Sequence, residues 1–256
     1  MLVDSHAHLA HEGYLESLDV LLARAQTAGV SRIINISTSL EELEQALSKF
    51  KACSWIDHAC AITPQDVAQL GELQFEAIAA YARKGALIAI GETGLDYYYT
   101  QETKFLQKDF LKRYLALARQ CHLPVIIHCR DAFKDFFSVL DEVEPVRGVL
   151  HCFTGTLEDA QELINRDWML SVSGIVTFKK SEVLQQVAKW VPLDHLLIET
   201  DAPYLAPQPF RGKPNEPSYL VHTAKFIAQL RGITFEELAA STTANATKLF
   251  GPSKAC

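Results

Sequence analysis

The chain has six cysteines, Cys53, Cys60, Cys121, Cys129, Cys152 and Cys256, but no C-x-x-C pair among them. It also has no signal-peptide pattern, opening directly on Met1-Leu2-Val3-Asp4-Ser5-His6. These absences read as a reduced, cytoplasmic thiol inventory rather than a disulfide framework. No apolar run approaches the ~20 residues that a membrane-spanning helix needs. A basic surplus is missing too: 24 Lys and Arg stand against 31 Asp and Glu, for a net charge of −7. That excludes a sequence-wide basic footprint for nucleic acid, though not a local grip on a few phosphates. No G-x-G-x-x-G follows the first strand candidate, so dinucleotide binding is unsupported. Internal repeats, low-complexity segments and linker-like shifts in composition are also lacking. Residues 1–256 therefore read as one domain, with no obligate protein partner indicated.

What is present is alternation. Strand candidates are Leu2–His8, Arg32–Ser37, Trp55–Ile62, Ala86–Glu92, Pro124–Cys129, Gly148–Phe153, Met169–Ser173 and Leu196–Asp201. Between them lie amphipathic helix candidates, among them Tyr14–Ala28, Leu40–Phe50, Gly71–Lys84, Gln101–Cys121, Thr156–Asn165 and Ser181–Trp190. Tyr219–Arg231 and Thr234–Leu249 close the chain. Apolar positions recur at helical spacing, as in Phe105, Leu111, Leu115 and Ala118. Strands such as Val125-Ile126-Ile127 and Leu196-Leu197-Ile198 are continuously apolar, as parallel strands covered on both faces should be. Eight strands with crossovers in about 250 residues predict an α/β fold, a (β/α)8 TIM barrel. The irregular stretch Pro203–Pro217 reads as a loop over an active site.

The ionisable residues fall at strand ends. His6 and His8 end the first strand candidate, Glu92 the fourth, His128 the fifth, and Asp201 the eighth, while His151 lies near the end of the sixth. Barrel enzymes assemble their sites on that face, and four histidines with two carboxylates there have the composition of a metal site. Taken singly, each has an ordinary structural role open to it, as a core histidine, a salt-bridged glutamate or a turn aspartate. Together they would leave many buried polar groups to satisfy, at about 1–3 kcal/mol for each one left unpaired. Side chains two apart on a strand share a face, so His6 and His8 can chelate one ion, and Glu199 joins Asp201 on the inward side. The same rule turns Cys129 and Cys152 outward, as packing residues rather than ligands.

Several strings are then familiar together: Asp4-Ser5-His6-Ala7-His8-Leu9, Gly91-Glu92-Thr93-Gly94-Leu95-Asp96-Tyr97, and Leu123-Pro124-Val125-Ile126-Ile127-His128-Cys129-Arg130-Asp131-Ala132. To these are added His151-Cys152-Phe153-Thr154-Gly155, Ile198-Glu199-Thr200-Asp201-Ala202-Pro203-Tyr204-Leu205, Arg211-Gly212-Lys213-Pro214-Asn215-Glu216-Pro217 and Thr243-Ala244-Asn245-Ala246. From Val3 to about Gly251 the chain resembles the TatD family of metal-dependent deoxyribonucleases. The resemblance implies a metallo-dependent hydrolase that cleaves phosphodiester bonds of DNA, as an exonuclease on single-stranded or accessible ends. It implies two divalent ions (Mg2+, Mn2+ or Zn2+), the first held by His6, His8 and Asp201, the second by His128 and His151. Glu92 would bridge them, Asp201 would take the proton of the attacking water, and Glu199 would support a third ion or orient a ligand from behind.

One segment departs from the family pattern. Where Gly-x-His-Pro-His often follows the third strand, this chain has Ala61-Ile62-Thr63-Pro64-Gln65. Thr63 and Gln65 can donate hydrogen bonds to a phosphate but cannot act as an acid near neutral pH. Arg130, Lys179, Lys180, Arg211 and Lys213 are candidate phosphate contacts, and Phe178 and Tyr204 candidate stacking partners for a base. Two other classes are open. An amidohydrolase-like enzyme acting on a small ester, amide or phosphotriester would share the H-x-H and the late Asp, but often bridges its ions with a modified Lys where this chain has Glu92. A degenerate barrel kept as a binding module would have lost ligands, yet all six are here.

Overall fold

In a computed structural model, residues 1–11, 14, 18–99 and 101–253 are described. Cys256 and residues 15–17 of the helix expected over Tyr14–Ala28 lie outside them. Eight strands follow one another: β1 (Leu2–Ala7), β2 (Val30–Ser37), β3 (Ile56–Cys60), β4 (Ala89–Asp96), β5 (Val125–Arg130), β6 (Gly148–Leu150), β7 (Met169–Val172) and β8 (Leu196–Ile198). They form one parallel sheet in chain order. A parallel bridge from Ala7 to Ala202 brings the two edges together, which makes this a (β/α)8 barrel. The helices are α1 (Leu18–Thr27), α2 (Leu40–Lys49), α3 (Glu72–Arg83), α4 (Lys104–Cys121), α5 (Phe133–Glu142), α6 (Leu157–Asn165), α7 (Glu182–Trp190), α8 (Leu220–Arg231) and α9 (Phe235–Phe250).

Strand alternation sorts the apolar residues into two layers. Val3, Ile34, Ile36, Ala59, Ala89, Ile126, Val149, Met169 and Leu197 point inward and pack with Ala246, Leu249 and Phe250 of α9, which plugs the N-terminal mouth. Their alternate neighbours, such as Ile33, Ile90, Ile127, Leu170 and Ile198, meet the helices. Near that same mouth the buried Arg32 guanidinium pairs with Asp57 at 2.8 Å and donates to the Gly251 carbonyl. Above this apolar floor, the other end of the barrel, at the C-terminal ends of the strands, is where the candidate ligand side chains converge.

Two details differ from the sequence-based expectation. Phe105 is not part of the buried stripe of α4; it is 85% exposed, while Gln107, Phe110, Leu111, Tyr114 and Leu115 face the barrel. The strands are also uneven in length. β4 runs through Glu92 to Asp96, whereas β6 and β8 stop before His151 and Asp201.

Candidate metal centre

Six side chains from five strands or their immediate extensions meet above the apolar floor. His6 lies within β1 and His8 one residue beyond it; Glu92 lies within β4 and His128 within β5. His151 follows β6 directly, and Asp201 lies three residues beyond the end of β8. The chain's beginning and end are laced together here. The Asp201 amide donates to the His6 carbonyl at 2.9 Å and the His8 amide to the Ala202 carbonyl at 2.8 Å. Asp201 itself takes φ +59°, a left-handed conformation that Asp tolerates better than most residues.

His6 Nε2 stands 3.2 Å from His8 Nε2, 3.2 Å from Glu92 Oε2 and 3.6 Å from Asp201 Oδ1. His8 Nε2 stands 3.7 Å from Glu92 Oε2 and 3.5 Å from Asp201 Oδ1. A tetrahedron of ligands at ~2.1 Å from an ion has edges of about 3.4 Å, so these separations are those of a coordination shell. The other carboxylate oxygen of Glu92 repeats the pattern: Oε1 lies 3.4 Å from His128 Nδ1 and 3.4 Å from His151 Nε2. His6, His8 and Glu92 form one group able to hold an ion, and Glu92, His128 and His151 a second.

The donor set fits metal ions on a further count. His6 Nδ1, both ring nitrogens of His151 and Glu199 Oε2 are buried with no hydrogen-bond partner among the described residues. Burial pushes the Glu92 carboxyl up, but the charges of His151 and His6 hold it well below the usual carboxylate range. Burial likewise opposes a charge on His151, yet Glu92 and Glu199 raise it well above an ordinary histidine. Such mutual dependence of lone pairs and positive charge is what a divalent cation would satisfy.

Around this cluster the structure places residues that sequence reasoning did not single out. Asp96 Oδ2 lies 3.0 Å from His128 Nε2, the ring nitrogen turned away from Glu92. Asp4 is fully buried and accepts from the Thr200 amide at 2.9 Å and the Thr200 hydroxyl at 2.6 Å, fixing the segment ahead of Asp201. Asn215 donates to the carbonyls of Thr200 at 2.7 Å and Tyr204 at 2.6 Å, and its own carbonyl accepts from the Tyr14 hydroxyl. The signal for Asp4 and Asp96 was the strand period itself: each lies an even number of residues from a candidate ligand.

Glu199 is fully buried; its Oε1 lies 3.5 Å from His151 Nδ1 and accepts the Cys152 amide at 2.6 Å. His6, His151 and Glu199 form a third, wholly buried group able to hold an ion. Cys129 packs in the layer between barrel and helices, as expected. Cys152 does not turn outward. It takes φ +43° beyond the end of β6, so strand alternation no longer governs it, and its thiol meets the Ser173 hydroxyl at 3.3 Å. Burial, reinforced by Asp201 and Glu199, pushes that thiol well above an ordinary cysteine.

A cavity of about 930 Å³ opens over the cluster, lined among others by Thr63, Gln65, Tyr98, Tyr99, Arg130 and Tyr204. The donors of the Thr63–Gln65 segment are engaged there: the Thr63 hydroxyl bonds Asp66 at 2.8 Å and the Gln65 amide bonds Asp96 at 2.7 Å. Phe178, Arg211 and Lys213 instead line an adjoining cavity of about 670 Å³, which shares Tyr204 with the first. Arg211 stacks 4.3 Å from the Phe178 ring centroid. Lys179 and Lys180 are exposed.

An eight-stranded parallel barrel with a doubled histidine–carboxylate cluster at its C-terminal mouth defines a metal-dependent hydrolase. Residues 3–251 match the family described as TatD related DNase, and the chain belongs to that family. It is 41% identical over 252 residues to a Bacillus subtilis (strain 168) protein named uncharacterized metal-dependent hydrolase YabD, covering 98% of this chain and 99% of the relative. It is 36% identical over 259 residues to the 3'-5' ssDNA/RNA exonuclease TatD of Citrobacter koseri, covering 98% of this chain and 99% of that one. Among solved structures, YjjV, a TatD homologue from Escherichia coli K12, superposes with a TM-score of 0.92 at 26% identity, with 98% of each chain covered. No helix among the described residues is long and apolar enough to cross a membrane.

Proposed function

We propose that this chain, as one domain over residues 1–256, is a TatD-type deoxyribonuclease that hydrolyses phosphodiester bonds of DNA from single-stranded or accessible ends. The observation that carries the reading is the shared carboxylate. Glu92 turns Oε2 to His6 and His8 and Oε1 to His128 and His151, so that one side chain serves two ligand groups. His6, His8 and Asp201 would hold one divalent ion, His128 and His151 the other, with Glu92 between them; Mg2+, Mn2+ and Zn2+ all suit such donors. Ions bound there would polarise a phosphoryl oxygen and lower the pKa of bound water from 15.7 toward ~7.

The chain's own residues supply the rest. Asp201 faces the cavity and is the group placed to accept the proton of the attacking water. Burial opposes its ionisation, but the hydrogen bond from His8 and the charge of His6 keep it below the usual range and so ready as a base. Glu199 backs His151 from behind or supports a third ion. Arg130, Arg211, Thr63 and Gln65 would meet phosphate, and Phe178 and Tyr204 bases, along the two adjoining cavities. The name of the Citrobacter koseri relative supports an exonuclease direction. Cys53, Cys60, Cys121, Cys129 and Cys152 are free thiols, which suits work in the cytoplasm.

The test is to strip the protein of metal and add back Mg2+, Mn2+ or Zn2+ with end-labelled single-stranded DNA, alongside small ester and amide substrates. Metal-restored DNA cleavage, lost in Asp201→Asn, is the expected result. If no metal restores cleavage of DNA while Asp201→Asn abolishes hydrolysis of a small ester, the nuclease reading is wrong.

A further inference from the structure

Tyrosine rings are costly to leave in water, yet Tyr98 and Tyr99 are 59% and 64% exposed and both line the cavity over the metal cluster. They follow β4 after one intervening residue, Tyr97, and stand edge to face, with ring centroids 4.8 Å apart. The Arg130 guanidinium, at the end of β5, lies 3.7 Å from the Tyr98 ring centroid and 4.9 Å from that of Tyr99. Arg24, Arg32, Arg113 and Arg166 are each paired with a carboxylate. Arg130 has no such partner among the described residues, so stacking takes up its flat faces and leaves its N–H edges for an anion.

The platform is also held rigidly. The amides of Tyr98 and Tyr99 both donate to Asp96 Oδ1, at 2.9 and 3.0 Å. The other oxygen of that carboxylate holds His128 Nε2 and the Gln65 amide. One aspartate thus fixes the aromatic pair in register with the ligand histidine. Two aromatic rings and an uncommitted guanidinium beside a centre built for phosphoryl chemistry are the elements of a site that stacks a base and grips the adjacent phosphate.

We propose that Tyr98, Tyr99 and Arg130 form a nucleotide subsite, in which a tyrosine ring stacks on a nucleobase of a single-stranded end and Arg130 binds the phosphate next to it. The assignment rests on the nuclease reading and adds where the strand end is seated. Stacking of this kind is sequence-tolerant, since every base presents a π-face.

The test uses the Mg2+-loaded protein and a cleavage-resistant, phosphorothioate-linked single-stranded oligonucleotide with 2-aminopurine at its end. The wild type is expected to bind it and quench the fluorescence. Tyr98→Ala or Tyr99→Ala should weaken binding about tenfold and reduce the quench, whereas Tyr98→Phe and Tyr99→Phe should keep both. With an abasic end, the ratio of wild-type to alanine-variant affinity should fall to about twofold. Arg130→Ala should weaken binding of either oligonucleotide and flatten its salt dependence. If Tyr98→Ala/Tyr99→Ala binds and quenches like the wild type, and the wild type cleaves DNA, the subsite is overturned and the nuclease reading stands. If the wild type neither binds nor cleaves single-stranded DNA with any of the three metals, both fall.

Discussion

Asp96 holds His128 by the ring nitrogen that faces away from the centre: Oδ2 lies 3.0 Å from Nε2, while Nδ1 lies 3.4 Å from Glu92 Oε1. A neutral histidine that donates its one N–H to a carboxylate presents the other nitrogen as a lone pair, which is the tautomer a metal requires. Loss of such a partner typically costs 10–100-fold in metal affinity. Asp96→Ala is therefore expected to weaken binding at the His128 side by about that factor, read by competition with a chelator. Asp96→Asn, which keeps an acceptor, should lose less. Unchanged affinity in the alanine variant would detach Asp96 from the centre.

Glu92 has no substitute among the residues that meet it. Glu92→Ala removes both oxygens at once, leaving His6 and His8 with Asp201 and His128 with His151, and no carboxylate shared between the two groups. Elemental analysis of the purified variant is expected to show both ions lost. Two metals retained per chain would end the bridging assignment.

Gly94 is set against His128 in the register of β4 and β5, with φ +145°. A Cβ there would fall inside the contact distance of the His128 carbonyl oxygen, and the backbone conformation is one that side chains rarely adopt. Gly94→Ala must push the two strands apart where His128 sits. It should destabilise the fold by about 3 kcal/mol or more, measured by urea unfolding. A change below about 0.5 kcal/mol would show that the strands yield freely there.

The barrel and the ring of histidines and carboxylates at its mouth were legible because both follow from rules about single strands. Buried parallel strands are continuously apolar, as Val125-Ile126-Ile127 is, and a metal site needs His and carboxylates at their C-terminal ends. What could not be read depended on where a strand stops or on what lies across the sheet. Cys152 escaped because the left-handed turn after Leu150 reverses the alternation that holds inside β6. Asp96 and Asp4 act through partners 32 and 196 residues away in sequence, and no local pattern names those partners. Tyr98 and Tyr99 read as ordinary rim residues until Arg130 is seen lying over them.

Glu216 ties the loop after β8 to α1. Its carboxylate takes both Arg24 N–H groups, at 2.8 and 2.5 Å, and also accepts from the Ser218 hydroxyl. Burial pushes this carboxyl up, but the Arg24 hydrogen bonds and Ser218 outweigh that and hold it below the ordinary value. Because the folded state releases the proton more readily than the unfolded chain, the stabilisation is complete above an unfolded value of about 4.3. It is lost as the pH falls through the lower folded value. The melting temperature of the wild type should exceed that of Glu216→Gln by a full margin at about pH 6, with the gap narrowing as the pH falls below the unfolded value of about 4.3. A gap that stays constant over that interval would contradict the linkage.

The lacing of His6 and His8 to the backbone around Asp201 and Ala202 also has a consequence during synthesis. His6 and His8 leave the ribosome at the start of translation, whereas Asp201, the last member of their cluster, follows nearly two hundred residues later. No partial product ending before Asp201 can complete that site, however well its early strands have formed. On the proposed assignment, hydrolytic competence is withheld from the nascent chain until the barrel's last strand is in place.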